Sequence, residues 1–246
     1  MYLHVPVKWP FFVVICKNST KTESNIGKRD QKANSAKKPD GSRLLALTID
    51  SIDHSKFAVP RSPSMSSKAF GQFIRPCLGV TMAICHGHCA LVFVSEPHLS
   101  HDSSWTAELI AITLNVLAKE FSYIDYRSAH LSLHGDNSTK EPKNNSVLRM
   151  LSATVSSRRL KSASLNTLMS GHSHEDIDQS FSSLAAWIHS QGDLHTTNQF
   201  VDSIQAWLDQ PQIRPDEPFK KVYRIDQVRA WILECFCLIS IFLCVA

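Results

Sequence analysis

The sequence predicts an α/β fold, a mixed five-stranded sheet flanked by helices and preceded by a basic arm. Three observations predict it. Apolar runs of strand length recur at 44–50, 78–85, 89–95, 130–135 and 164–169. Longer runs with helical spacing lie between and after them. Hydrophobic residues make up 43% of the chain and charged ones 20%, the ordinary balance of a sequence that buries a core. At 246 residues the chain holds one sizeable domain with tails rather than two domains. The expected organisation is an arm over 1–43, a domain over 44–231 and an apolar tail over 232–246.

Taken in order, the segment Lys17 to Arg43 carries eight Lys and Arg against Glu23, Asp30 and Asp40, with almost no large apolar residues. That is the composition of a disordered basic arm. Leu44 to Asp50 (LLALTID) is the first strand and ends on a carboxylate, with Asp53 three residues on. In the Ser- and Pro-rich loop 51–72, Lys56, Arg61 and Lys68 are phosphate contacts or solvated loop charge. Leu78–Cys85 and Cys89–Ser95 read as antiparallel strands joined through His86-Gly87-His88, so the first three strands pair antiparallel. Asp102 or Ser103 caps a helix that runs to about Phe121 over an apolar stripe beginning at Leu109. Glu108 within it is either an auxiliary metal ligand or a surface acid favouring the helix N-terminus. Ala129–Gly135 is the fourth strand, Ser146–Arg159 a helix, and 160–169 contains the fifth strand. A long helix then runs toward His189, an amphipathic one covers Phe200–Leu208, and Val222–Trp231 is a further short element.

Candidate chemistry gathers on acids at the ends of these elements. Leu131 and Leu133 alternate with Ser132 and His134, so a strand there delivers Asp136 to the sheet's end, where ligands of open α/β sheets collect. Gly171 permits a sharp turn into a helix whose first turn carries Glu175, Asp176 and Asp178. Carboxylates crowded together repel one another, and a divalent cation with oxygen ligands relieves that repulsion. Asp50, Asp136 and Asp178, with Glu175 and Asp176 beside them, are therefore candidate ligands for Mg2+ or Mn2+. An acidic helix start that only complements the macrodipole is the alternative. Asn137, Lys140, Lys143 and Asn144 form a polar, basic turn suited to a nucleic-acid backbone or simply to capping the next helix. His172 and His174 are phosphate contacts, groups that orient a ligand, or helix-start residues.

The order strand-Asp, insertion, strand-Asp, helix-acid is similar to that of ribonuclease H-like nucleases and integrases. LTIDSIDHSKFAVPR, RPCLGVTMAICHGH, LHGDNSTKEPKNN and SGHSHEDIDQSF together resemble an uncharacterised transposon-associated family, numerous in protist genomes, with an integrase-like core. The resemblance spans 44–231. It implies a ribonuclease H-like fold and DDE-type chemistry, in which Asp50, Asp136 and Asp178 are catalytic and two metal ions assist cleavage and transfer of DNA strands. RNA is the alternative substrate, and a decayed relative that binds nucleic acid or protein without cleaving is the alternative function. The spacing of Asp178 and Phe181 is similar to the E-x-x-F of several transposases and favours Asp178 over Asp176.

Other classes find no support. The sequence has no P-loop, dinucleotide fingerprint or G-x-S-x-G elbow, so no small-molecule cofactor is expected. Seven cysteines without regular spacing argue for a reducing compartment rather than a disulfide framework. Cys85-His86-Gly87-His88-Cys89 offers zinc-type ligands, but strand alternation splits them between two faces. A strand-transfer enzyme works on chromatin, so nuclear localisation is expected, with Lys28-Arg29 and Lys37-Lys38 as contributors to import. Residues 230–246 are nearly all apolar, at the lower limit for spanning a bilayer; a tail anchor is the alternative location, and a truncated or misread end the leading explanation. An oligomer is possible.

Overall fold

The computed structural model describes residues 15–18, 43–53, 56–64, 71, 74–135, 145–167 and 175–229. It is an α/β architecture with a mixed sheet flanked by helices. Six strands from Leu44 onward, β2 (Leu44–Ser51), β3 (Gly79–Cys85), β4 (Cys89–Ser95), β5 (His130–Gly135), β6 (Ser162–Thr167) and β7 (Phe219–Ile225), are joined at one edge by β1 (Ile15–Asn18). The order is β1-β6-β5-β2-β3-β4-β7. β2, β3 and β4 pair antiparallel as expected, while β5, β6 and β1 continue the sheet parallel to β2. β7 lies parallel to β4.

Two strands go beyond the five expected. β7 begins three residues ahead of the short element read at Val222, because its first residues, Phe219-Lys220-Lys221, alternate weakly at a sheet edge. β1 overlaps the start of the segment read as a disordered arm, at Lys17 and Asn18. The remainder of that segment, 19–42, and the tail 230–246 lie outside the described residues. Among the described residues, no helix is long and apolar enough to cross a membrane.

Helices cover both sides of the sheet. On one side α1 (Ser103–Glu120) and α2 (Asn145–Ser156) pack through Leu109, Ile110, Leu117, Val147 and Leu151 on Leu45, Leu47, Leu91, Leu131 and Leu133. On the other, α3 (Glu175–Ser190) and α4 (Thr197–Leu208) pack through Ile177, Phe181, Leu184, Phe200 and Trp207 on Val80, Met82, Ile84 and Val92. α1 starts where the sequence places its cap: Asp102 Oδ1 accepts from the Ser104 and Trp105 amides at 2.8 and 3.3 Å. α4 starts earlier than Phe200 because Thr196 and Gln199 form a reciprocal capping box.

Close packing fixes where α1 meets the sheet. The His101 ring stacks on Trp105, centroids 4.3 Å apart, and its Nε2 lies 2.7 Å from Ser95 Oγ. A Cβ on Gly79 would fall inside van der Waals contact of both His101 and Ser95. Gly79→Ala is therefore expected to destabilise the protein by about 1–3 kcal/mol, the range for overpacking, as read by urea denaturation.

Candidate functional site

The carboxyl ends of β2 and β5, adjacent parallel strands beside the antiparallel half of the sheet, meet the first turns of α1 in a shallow cleft. Asp50, Ser51, Thr81, Trp105, His134 and Gly135 line it. A hydroxyl chain stiffens its floor. Ser51 Oγ lies 2.8 Å from Thr81 Oγ1, and Trp105 Nε1 donates to Thr81 Oγ1 at 3.2 Å. Asp50 is half-buried and its Oδ1 accepts the Ser51 amide at 2.8 Å. Leu45, Leu47 and Ile49 enter the α1/α2 core, so strand alternation turns Thr48 and Asp50 to the α3 side. The register pairs Thr48 with His134. Asp136 follows two residues after His134 and lies outside the described residues.

Four polar residues from distant parts of the chain meet at the other end of the sheet. Arg214 donates through Nε and Nη2 to Glu217 Oε2 and Oε1, both at 3.0 Å, and its Nη1 lies 3.1 Å from Asp176 Oδ1. His86 Nδ1 stands 3.8 Å from both Asp176 Oδ2 and Glu217 Oε1, and its Nε2 lies 3.3 Å from Thr48 Oγ1. Glu217 also accepts the Gly87 amide at 3.4 Å. Burial opposes the charge of Arg214, but the Glu217 and Asp176 carboxylates outweigh it and hold the guanidinium pKa above its usual value. This network fastens the first turn of α3 to the β3–β4 turn and to the loop before β7.

The acids expected to converge are thus placed differently from one another. Asp50 pairs across the sheet with Met82, while Asp176 is engaged at His86, four residues farther down the β3 direction, roughly 13 Å along a strand. Asp176 is held by Arg214 and His86. Asp178 is half-buried on the same helix turn. The side chain of Glu175 and the residues Asn137, Lys140, Lys143, Asn144, His172 and His174 lie outside the described set. Among the described residues, no group of three His, Cys, Asp or Glu is placed to hold a metal ion.

Other sequence candidates have structural roles. Glu108, 8% exposed, receives a two-pronged bond from Arg229, Nε to Oε2 at 2.8 Å and Nη2 to Oε1 at 2.9 Å, which ties the segment after β7 to α1. Arg61 bonds Leu194 through its backbone and approaches His189 Nδ1 at 3.1 Å, docking its loop against the end of α3. Cys85 and Cys89 face each other across the hairpin inside the α1/α2 core, with His88 Nδ1 4.0 Å from Cys85 Sγ, while His86 points to the opposite side. Burial pushes the Cys89 thiol up to about 12 and Cys85 well above its usual value, so both stay protonated and unreactive. Sequence reasoning passed over Arg214, Glu217 and Trp105. Only His134 had a local signal, its alternation with Leu131 and Leu133 in the run that precedes Asp136.

The family described as Domain of unknown function (DUF7869) matches residues 77–244. No curated protein and no solved structure matches the chain.

Proposed function

The chain belongs to the DUF7869 family, a domain of unknown function, and from that footing we propose that it is a transposon-derived, DDE-type transposase- or integrase-like protein with a ribonuclease H-like core. The observation that supports the reading is topological. Three antiparallel strands lead into two parallel ones in the order β6-β5-β2-β3-β4, with an acid at the carboxyl end of central β2 and the sequence placing another directly after neighbouring β5. α3, whose first turn carries Asp178, packs on the opposite side of the sheet from α1 and α2.

Asp50 is a half-buried carboxylate at the carboxyl end of β2, a hard oxygen donor of the kind a divalent cation takes, and the sequence places Asp136 directly after neighbouring β5, while the turn of α3 that carries Asp178 stands at the His86 end of the sheet. Were they to converge, Asp50, Asp136 and Asp178 would hold two Mg2+ or Mn2+ ions, whose chemistry there would be activation of an attacking hydroxyl and stabilisation of the leaving oxygen at phosphorus. The protein's own part is to fix the approach. Trp105 and Thr81 fix where α1 meets the sheet at the carboxyl end of β2, and the Arg214 network fixes where α3 begins. DNA is the proposed partner and the nucleus the proposed location.

One observation favours the second reading, a relative that binds without cleaving: the first turn of α3 spends Asp176 on Arg214 and His86, leaving fewer acids for metal. Nicking of a labelled duplex in magnesium or manganese separates the two. Wild type is expected to nick, and Asp50→Asn and Asp136→Asn to abolish nicking while keeping wild-type thermal unfolding. Binding by wild type with no cleavage in either metal gives the second reading the place of the first.

A further inference from the structure

Parallel strands inside a sheet are normally covered on both sides and are apolar throughout. Even the antiparallel β3 and β4 are buried along their whole length here. β5 and β6 are not. Leu131, Leu133, Ala163 and Leu165 enter the α1/α2 core, each at most 5% exposed. The alternate residues, His130, Ser132, His134, Ser162, Ser164 and Asn166, are all polar, and all but Ser132 are half-exposed. They stand in register, His130 opposite Ser162, Ser132 opposite Ser164 and His134 opposite Asn166. Hydrogen bonds orient them. His130 Nδ1 meets Ser162 Oγ, Ser132 Oγ lies 2.9 Å from His134 Nε2, and Asn166 Nδ2 donates to Ser132 Oγ at 2.9 Å.

We propose that this polar side of β5 and β6 is a track for the sugar-phosphate backbone of a nucleic-acid strand, leading to the Asp50 end of the sheet. The six side chains supply hydroxyl, carboxamide and imidazole groups and no carboxylate, the kinds of group that contact phosphate and sugar oxygens. At its foot the turn into β6 carries Arg158 and Lys161, both exposed, which adds positive charge where a polyanion would continue. The track is roughly 20 Å long, the length of six strand residues. A protein partner fits less well. The six positions offer no apolar side chain to form an interface core, and β5 and β6 are both paired on their two edges, so no backbone is open to an added strand.

The inference rests on the nucleic-acid part of the reading above and not on cleavage, so it is tested without metal. Anisotropy of a fluorescein-labelled 20-nucleotide single-stranded DNA is followed against the full chain in EDTA over a salt series. Ser164→Glu sets a carboxylate on the track and is expected to weaken binding at least about tenfold through like-charge repulsion, and Ser164→Lys to tighten it with a steeper salt dependence. Gln179→Glu, the same charge change on the exposed side of α3, is expected to stay within about twofold of wild type. If Ser164→Glu and Ser164→Lys both bind as Gln179→Glu does, the track is overturned while the nucleic-acid reading stands. If wild type binds neither this oligonucleotide nor its duplex, both fall. Should Ser164→Glu lose the wild-type circular dichroism, the lysine variant alone decides.

Discussion

Arg214→Ala is expected to lower the free energy of unfolding by about 3–5 kcal/mol, the cost of stranding one half of a buried ion pair. The Arg214 and Glu217 side chains are 11% and 3% exposed and joined by two parallel bonds of 3.0 Å. Without the guanidinium, the Glu217 carboxylate keeps, among the described residues, the Gly87 amide at 3.4 Å and the His86 ring at 3.8 Å, too little to compensate a charge removed from water. The arm to Asp176 contributes less, because that side chain is 41% exposed and screened by solvent. Arg214 also sits at φ 49°, a left-handed conformation uncommon for a residue with a Cβ. Such a conformation persists where its surroundings over-determine it, and the three-way bonding supplies that determination. The check is urea denaturation of Arg214→Ala beside the double variant Arg214→Met, Glu217→Leu. The double variant is expected to recover much of the loss because both charges leave together. A cost below about 1 kcal/mol for the single variant would mean that the network does not hold the loop.

The sheet was legible because alternation and turn chemistry are local. LLALTID, GVTMAIC and CALVFVS are apolar enough to be strands in any packing, and Gly87, at φ 73°, closes the hairpin where His-Gly-His suggested. The cap at Asp102 was legible for the same reason. The Thr196–Gln199 capping box could have been read from its spacing, and the apolar stripe beginning at Phe200 drew the boundary inward instead. Edge strands were harder. Among the described residues β1 and β7 each pair on one side only, and a strand at a sheet edge carries a weak period, as Lys220 and Lys221 show. The lower network was not legible at all. His86, Asp176, Arg214 and Glu217 come from a hairpin turn, a helix start and a loop, and only the folded topology brings them together. The acidic cluster at 175–178 could be seen in the sequence, but which of its members was already paired could not.

That pairing yields a double dissociation between Asp176 and Asp178. Ile177 between them is fully buried, which fixes the rotation of the first turn of α3, and at 100° per residue the two acids point about 200° apart. Asp176 points to Arg214 and His86, so Asp176→Asn removes a part-exposed ion pair and is expected to cost about 1 kcal/mol of stability or less while leaving metal-dependent nicking within a few-fold of wild type. Among the described residues Asp178 has no ion pair, so Asp178→Asn is expected to change stability by less than about 0.5 kcal/mol, as surface replacements do. If Asp178 is the third metal ligand, the same replacement abolishes nicking, because the amide keeps the shape of the side chain and removes the charge that a divalent ion requires. Urea denaturation and the nicking assay, run on the same two preparations, measure both axes. The reverse pattern, with Asp176→Asn inactive at wild-type stability and Asp178→Asn active, would assign the third acid to Asp176 and require α3 to release Arg214 before metal binds.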